Sequence, residues 1–90
     1  MPIIRVSNVI SYYTDKQTHF HVEGATALEA IQCAVEIYPK FKFHIFDGKG
    51  NLRRHIRLFV NDVHVGELNG NETKVEDDDV VRILAAAAGG

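Results

Sequence analysis

The chain has 90 residues, 46% of them hydrophobic and 24% charged, with a formal net charge of −2. That composition suits one small folded domain rather than a disordered chain, and its slight acidity argues against a nucleic-acid binder, which presents a basic face. The single cysteine, Cys33, cannot close an internal disulfide, which fits a reducing, cytoplasmic setting; Met1-Pro2-Ile3-Ile4-Arg5 lacks the apolar run of a signal peptide, and no stretch approaches the ~20 apolar residues of a membrane span.

Ile3 to Asn8 is β-rich and opens the domain. Asn8 to Lys16 is less regular, and Thr14-Asp15-Lys16 has the composition of a turn. Gln17 to Val22 alternates, with Thr18, Phe20 and Val22 on one face and Gln17, His19 and His21 on the other, the pattern of a half-buried strand. Thr26 followed three residues later by Glu29 is a capping box, so a helix starts there. Leu28, Ile31, Val35 and Tyr38 fall on one helical stripe, with Ala27 and Ala34 beside it, and Pro39 is expected to stop the helix.

Phe41 to Asn51 is expected to be a connection, with Asp47-Gly48-Lys49-Gly50-Asn51 as its loop. From His55 to Val60 the inward residues are Ile56, Leu58 and Val60. Asn61-Asp62 then turns the chain into a short strand, Val63 to Val65, followed by a polar loop from Gly66 to Glu72 and an acidic turn from Glu76 to Asp79. Val80 to Leu84 is a last strand with Val81 and Ile83 on one face. Two strands, one main helix and at least two more strands predict an α+β domain, a mixed sheet of four to five strands crossed by the helix. Its apolar face suits the last strand to a central place beside the first. Residues 1–84 form the expected domain, and residues 85–90 a flexible C-terminal tail ending in Gly-Gly.

The tail, Ala85-Ala86-Ala87-Ala88-Gly89-Gly90, is the most informative segment. Two terminal glycines arise by chance in about one chain in 200 at the usual glycine frequency, so the context carries the weight. A strand with an apolar face is followed by a side-chain-poor linker and then Gly89-Gly90. Lacking Cβ atoms, such an end threads a narrow enzyme channel that excludes bulkier residues, delivering the Gly90 carboxylate to a nucleotide phosphate. The bland reading is a frayed terminus.

Taken in order, these residues resemble a known family. Phe59-Val60-Asn61-Asp62, Thr73, Glu76 to Asp79, Val80, Ile83-Leu84 and Ala88-Gly89-Gly90 resemble the C-terminal half of the ThiS/MoaD sulfur carriers. Thr14 with Gln17, Gly24, Thr26-Ala27-Leu28, Tyr38-Pro39 and Leu52-Arg53-Arg54 are similar to the longer members serving cysteine and siderophore biosynthesis. The resemblance implies a β-grasp, ubiquitin-like fold and a carrier rather than an enzyme. It implies that Gly90 becomes an acyl-adenylate and then a thiocarboxylate, with Gly89 threading the channel. It implies no bound cofactor, ATP being used by an adenylating partner of the ubiquitin-activating type. A sulfur-acceptor synthase follows, and in some relatives a JAMM-type metalloprotease trims residues beyond Gly-Gly. Relatives commonly carry proline where Ala85 stands and glycine where Asp78 stands. A covalent modifier joined through Gly90, or the small subunit of molybdopterin synthase, would use the same tail.

Phe59 and Leu84, with Arg57 and Arg82 alternating beside them, are expected on the outer sheet face. With Ala88 of the tail they are the candidate partner contacts, and the alternative is that a loop or the tail covers the two apolar side chains. Glu76 to Asp79 reads first as a solvated turn. His19 and His21 share a strand face, yet no third ligand stands at a telling spacing, so no metal is expected. Cys33 falls nearly opposite the apolar stripe of the helix, is expected to be partly exposed and has no base placed to activate it. The Asp47–Asn51 loop lacks the spacing of a phosphate loop and a following helix. Arg53, Arg54 and Arg57 make a small basic cluster suited to an acidic partner.

Overall fold

The computed structural model describes residues 1–85. Strand β1 is Ile3–Val6 and β2 is His19–His21; helices α1, Ala27–Ile37, and α2, Pro39–Ile45, follow; β3 is Ile56–Val60, β4 Val63–His64 and β5 Val80–Ala85. The strands form one mixed sheet in the order β2-β1-β5-β3-β4, so the last strand is central. β5 takes the central place beside β1 that its apolar face suits, running parallel to β1 and antiparallel to β3.

Alternation sorts the sheet into two faces. Inward, Ile4 stands beside Val81 and Val81 beside Val60, while Val6 stands beside Ile83 and Ile83 beside Leu58. All six are buried, and α1 and α2 supply the other wall of the core through Ala27, Ala30, Ile31, Ala34, Phe41 and Ile45. Burying a side chain such as Ile31 or Leu58 contributes about 1.5–3 kcal/mol, so this layer dominates the stability. Ala30, rather than Leu28, lies at the centre of the α1 stripe; Leu28 is half-buried at its margin.

The capping box of α1 forms as the sequence implies. Glu29 N donates to Thr26 Oγ1 at 3.1 Å, and the Glu29 carboxylate accepts from Ala25 N at 3.0 Å. Gly24 lets the incoming chain lie against the first turns of α1. A Cβ there would stand 2.6 Å from Ala30 N, and its φ of +155° is one that residues with a side chain rarely adopt. The Thr14–Gln17 pair closes the turn ahead of β2: buried Thr14 donates its hydroxyl to the Gln17 carbonyl at 2.8 Å, and Gln17 N returns a bond to the Thr14 carbonyl at 2.9 Å.

The expected connection from Phe41 onward is corrected. Pro39 ends α1 but also opens α2, because proline at the first helical position sacrifices no intrahelical hydrogen bond and arrives with helical φ. Tyr38 takes the extended break between the two helices at φ −123° and ψ 84°. Phe41 and Ile45, one helical turn apart, are both fully buried and hold α2 against the core. The polar stretch after β4 is also more ordered than a plain loop. It contains 3₁₀ turns at Val65–Glu67 and Gly70–Glu72, and it returns to α1 where Ala27 N donates to the Thr73 carbonyl at 2.8 Å.

Asn61 and Asp79 fix where β5 begins. Asn61 Nδ2 donates to the Asp79 carboxylate at 2.8 Å, Val80 N donates to Asn61 Oδ1 at 3.0 Å, and Asp79 also accepts from Glu76 N at 2.8 Å. The acidic turn is therefore partly a structural clasp. Asp78 sits at φ 71°, a region that aspartate tolerates better than most residues. Asn61 and Asp62, at φ 50° and 71°, make the left-handed turn that suits the twist of a two-residue hairpin.

Two expectations follow. Phe41→Ala empties a fully buried ring site and should cost about 3–5 kcal/mol in chemical denaturation; a loss under 1 kcal/mol would mean that α2 is not part of the core. The hydrogen bond from Asn61, then that from Glu76 N, holds the Asp79 carboxyl below its ordinary pKa. A carboxyl depressed on folding stabilises above the unfolded carboxylate range, and that contribution fades as pH falls through the folded pKa. Asp79→Ala should therefore cost on the order of 1 kcal/mol at neutral pH, a modest value because the group is near solvent, and the gap should close on acidification.

Candidate functional site

The outer face of the sheet carries exposed and half-buried side chains among the described residues, and register places them in rows. One row crosses all five strands: His19 of β2, Arg5 of β1, Arg82 of β5, Phe59 of β3 and His64 of β4. Beside it, Leu84 pairs with Arg57. The four expected partner contacts of the body are thus neighbours on β3 and β5, with apolar Phe59 and Leu84 on one diagonal and cationic Arg57 and Arg82 on the other.

The patch is mixed rather than purely apolar. Phe59 and Leu84 are half-buried. The Phe59 ring meets the edge of His64 with centroids 5.3 Å apart and planes at 73°, and His64 is fixed in turn by accepting from Gly66 N at 3.0 Å. Arg82 reaches Asp62 at 3.0 Å, an exposed pair of small energetic weight that orients the guanidinium. Arg57 donates to the Arg54 carbonyl, tying the residue before His55 to the start of β3. Ile3, Arg5, His19, Val80, Arg82 and Leu84 line a shallow depression of the same face, so the sheet offers an apolar floor with cationic edges.

β5 ends at Ala85, opposite Ile56 of β3. The expected contacts Ala88, Gly89 and Gly90 lie outside the described residues. Around the end of β5 stand the segment leaving β1 and the residues entering β3, and here the structure assembles a group with no signal in the sequence pattern. Tyr13 stacks on His44 of α2 at 4.5 Å, Tyr12 meets Tyr13 edge-on at 5.2 Å, and His44 meets His55 edge-on at 6.0 Å. Burial first, then the nearby His55 and Arg53, holds the His44 pKa below its ordinary value. The His44 Nε2 is buried without a hydrogen-bond partner among the described residues.

The remaining candidates resolve individually. Cys33, expected nearly opposite the buried stripe, is half-buried against the core, and its Sγ accepts from Glu23 N at 3.4 Å. The chain passing through Gly24 covers that side of α1, which a helical wheel cannot show. His19 and His21 are both exposed on β2, and no group of three or more His, Cys, Asp or Glu residues suited to a metal exists among the described residues. In the Asp47–Asn51 loop the Asp47 carboxylate accepts from Lys49 N at 2.8 Å and Asn51 N at 3.0 Å, so the loop satisfies its own amides rather than presenting them to a phosphate. No helix among the described residues is long and apolar enough to cross a membrane.

Comparison with known proteins gives this geometry a family. A chain of the Amycolatopsis orientalis BexX/CysO complex superposes with a TM-score of 0.87 at 29% identity, each chain covered over 100% of its length. Mycobacterium tuberculosis CysO, described as an antigen, superposes with a TM-score of 0.84 at 25% identity, covering 97% of this chain and 100% of that one. Small archaeal modifier protein 1 of Methanosarcina acetivorans shares the fold, with a TM-score of 0.86 at 22% identity over 99% of this chain and 95% of its own. No curated protein sequence matches the chain. The ThiS family model matches residues 6–90, through both sheet edges and the Gly-Gly segment. The chain belongs to the ThiS family, with the β-grasp fold of the ubiquitin-like carriers and modifiers.

Proposed function

We propose that the chain is a sulfur carrier that works through the Gly90 carboxylate. The observation that carries this reading is the family match running to residue 90, joined to a central strand that reaches Ala85 beside the candidate docking face of the sheet. An adenylating partner of the ubiquitin-activating type takes residues 85–90 into its channel. The Gly90 carboxylate attacks the α-phosphorus of the partner's ATP and pyrophosphate leaves, giving an acyl-adenylate. A sulfur nucleophile then attacks the carbonyl carbon and AMP departs with one former carboxylate oxygen, leaving a thiocarboxylate. The carrier contributes no general base and binds no cofactor; its body contributes recognition. Likeness to CysO favours cysteine biosynthesis as the destination, with a sulfur-acceptor synthase as second partner. The unpaired Cys33 suits the reducing cytoplasm in which this chemistry would run.

The sheet face suits the docking role. Aromatic residues in partly desolvated settings carry much of the binding energy of protein interfaces, and Phe59 stands between two cations and an imidazole edge.

With the adenylating enzyme and sulfur source of its host, intact-mass measurement should show exchange of one oxygen for one sulfur. Removal of Gly89 and Gly90 should abolish that exchange while the body stays folded. Failure with every adenylating enzyme of the host defeats the reading, and higher-mass conjugates on lysines would instead identify a covalent modifier. Phe59→Ala should raise the half-saturating carrier concentration for pyrophosphate exchange roughly thirtyfold, corresponding to about 2 kcal/mol at an interface hot spot. An unchanged value would move the contact off this face.

A further inference from the structure

A second surface borders the end of β5 and is distinct from the sheet face. Tyr12, Tyr13, His44 and His55 form a continuous ladder of rings drawn from three separate segments. Its outer member is presented to solvent: Tyr12 is 79% exposed. An exposed ring continuous with others marks a contact surface more often than an isolated one does.

Arg53 and Arg54 lead the charges around the ladder, with the carboxylates of Asp15 two residues from Tyr13 and Asp47 three residues from His44 along the chain. Arg53 Nε donates to the Phe43 carbonyl at 2.9 Å, which holds its guanidinium against α2 beside the rings. Arg54 is exposed and Arg57 holds its carbonyl in place. The opposite end of β5 carries Glu76, Asp77, Asp78 and the Asp62 turn. The domain is therefore polarised along β5, cationic and aromatic where β5 ends and anionic where it begins. Such a field turns an approaching acidic partner toward the end of β5.

We propose that this shoulder, Tyr12, Tyr13, His44 and His55 with Arg53 and Arg54, docks an acidic rim around the channel of the adenylating enzyme that accepts residues 85–90. The inference rests on the carrier reading and adds a contact outside the sheet face. The rings supply rigid, low-entropy contact area, and the arginines supply carboxylate recognition in a planar, bidentate geometry. The stack of His44 on Tyr13 joins the α2 rung of the ladder to the segment that follows β1.

The test is pyrophosphate exchange by the host's adenylating enzyme as a function of concentration of the full chain. Arg53→Glu combined with Arg54→Glu should raise the half-saturating concentration at least tenfold, leave the maximal rate unchanged and flatten the salt dependence. Tyr12→Ala, at a highly exposed position, should raise it several-fold without lowering the melting temperature. Arg54→Glu alone serves if the loss of the Arg53 bond to α2 disturbs folding, and Arg53→Lys with Arg54→Lys should recover most of the salt dependence. If the wild-type chain exchanges normally and the arginine and Tyr12 variants match it, the shoulder proposal is overturned and the carrier reading stands. If the wild-type chain supports no exchange, both fall.

Discussion

The parallel pairing of β1 with β5 is the constraint on which the rest of the molecule depends. It joins the first strand of the chain to the last, so every intervening element is part of one crossover connection. With β3 on its other side, β5 has its backbone groups satisfied along both edges and cannot slide without breaking two ladders at once. That fixes the direction in which β5 runs. The acidic turn lies at one end of β5 and Ala85 at the other, and every surface relevant to a partner is placed by that polarity.

The same strand serves two purposes through its period of two. Val81 and Ile83 complete the core, while Val80, Arg82 and Leu84 look outward. A slip of one residue would bury Arg82 and expose Ile83, an exchange the core cannot tolerate. The clasp of Asn61 and Asp79 at the start of β5 therefore protects the outward face as much as the core. It explains why an acidic turn that reads as solvated charge contains one carboxylate with a defined geometric task.

What was legible in the sequence was whatever local periodicity encodes. The alternation of β3 and β5 identified Arg57, Phe59, Arg82 and Leu84 as outward residues, and register then made them neighbours. Thr26 and Glu29 marked the start of α1 because a cap is a contact between residues three apart. The failures have one cause in common. Pro39 ends one helix and begins another, and only the spacing of Phe41 and Ile45 hinted that the chain continued as helix. Cys33 is partly exposed, as its place on the helical wheel implies, but its contact with Glu23 N lies beyond what a wheel shows. The Tyr12–Tyr13–His44–His55 ladder joins three segments that approach one another only after the sheet closes, so no window of sequence contains it.

These features bear on how a carrier divides its labour. On the proposed reading the bonds made and broken all lie at Gly90, and the body has only to be recognised. Recognition must be strong enough to guide residues 85–90 into one enzyme, yet weak enough to release them to the next. A surface of half-buried apolar residues edged by exposed cations meets both demands, because exposed ion pairs steer association far more than they tighten it. Two surfaces that border the same strand end, the sheet face and the ring-bearing shoulder, add a further possibility of order. An enzyme that grips both excludes every competitor while the chemistry proceeds, whereas one that grips a single surface yields to the next partner by ordinary dissociation. The polarity of β5 makes either arrangement available to an ordinary small domain without any moving part.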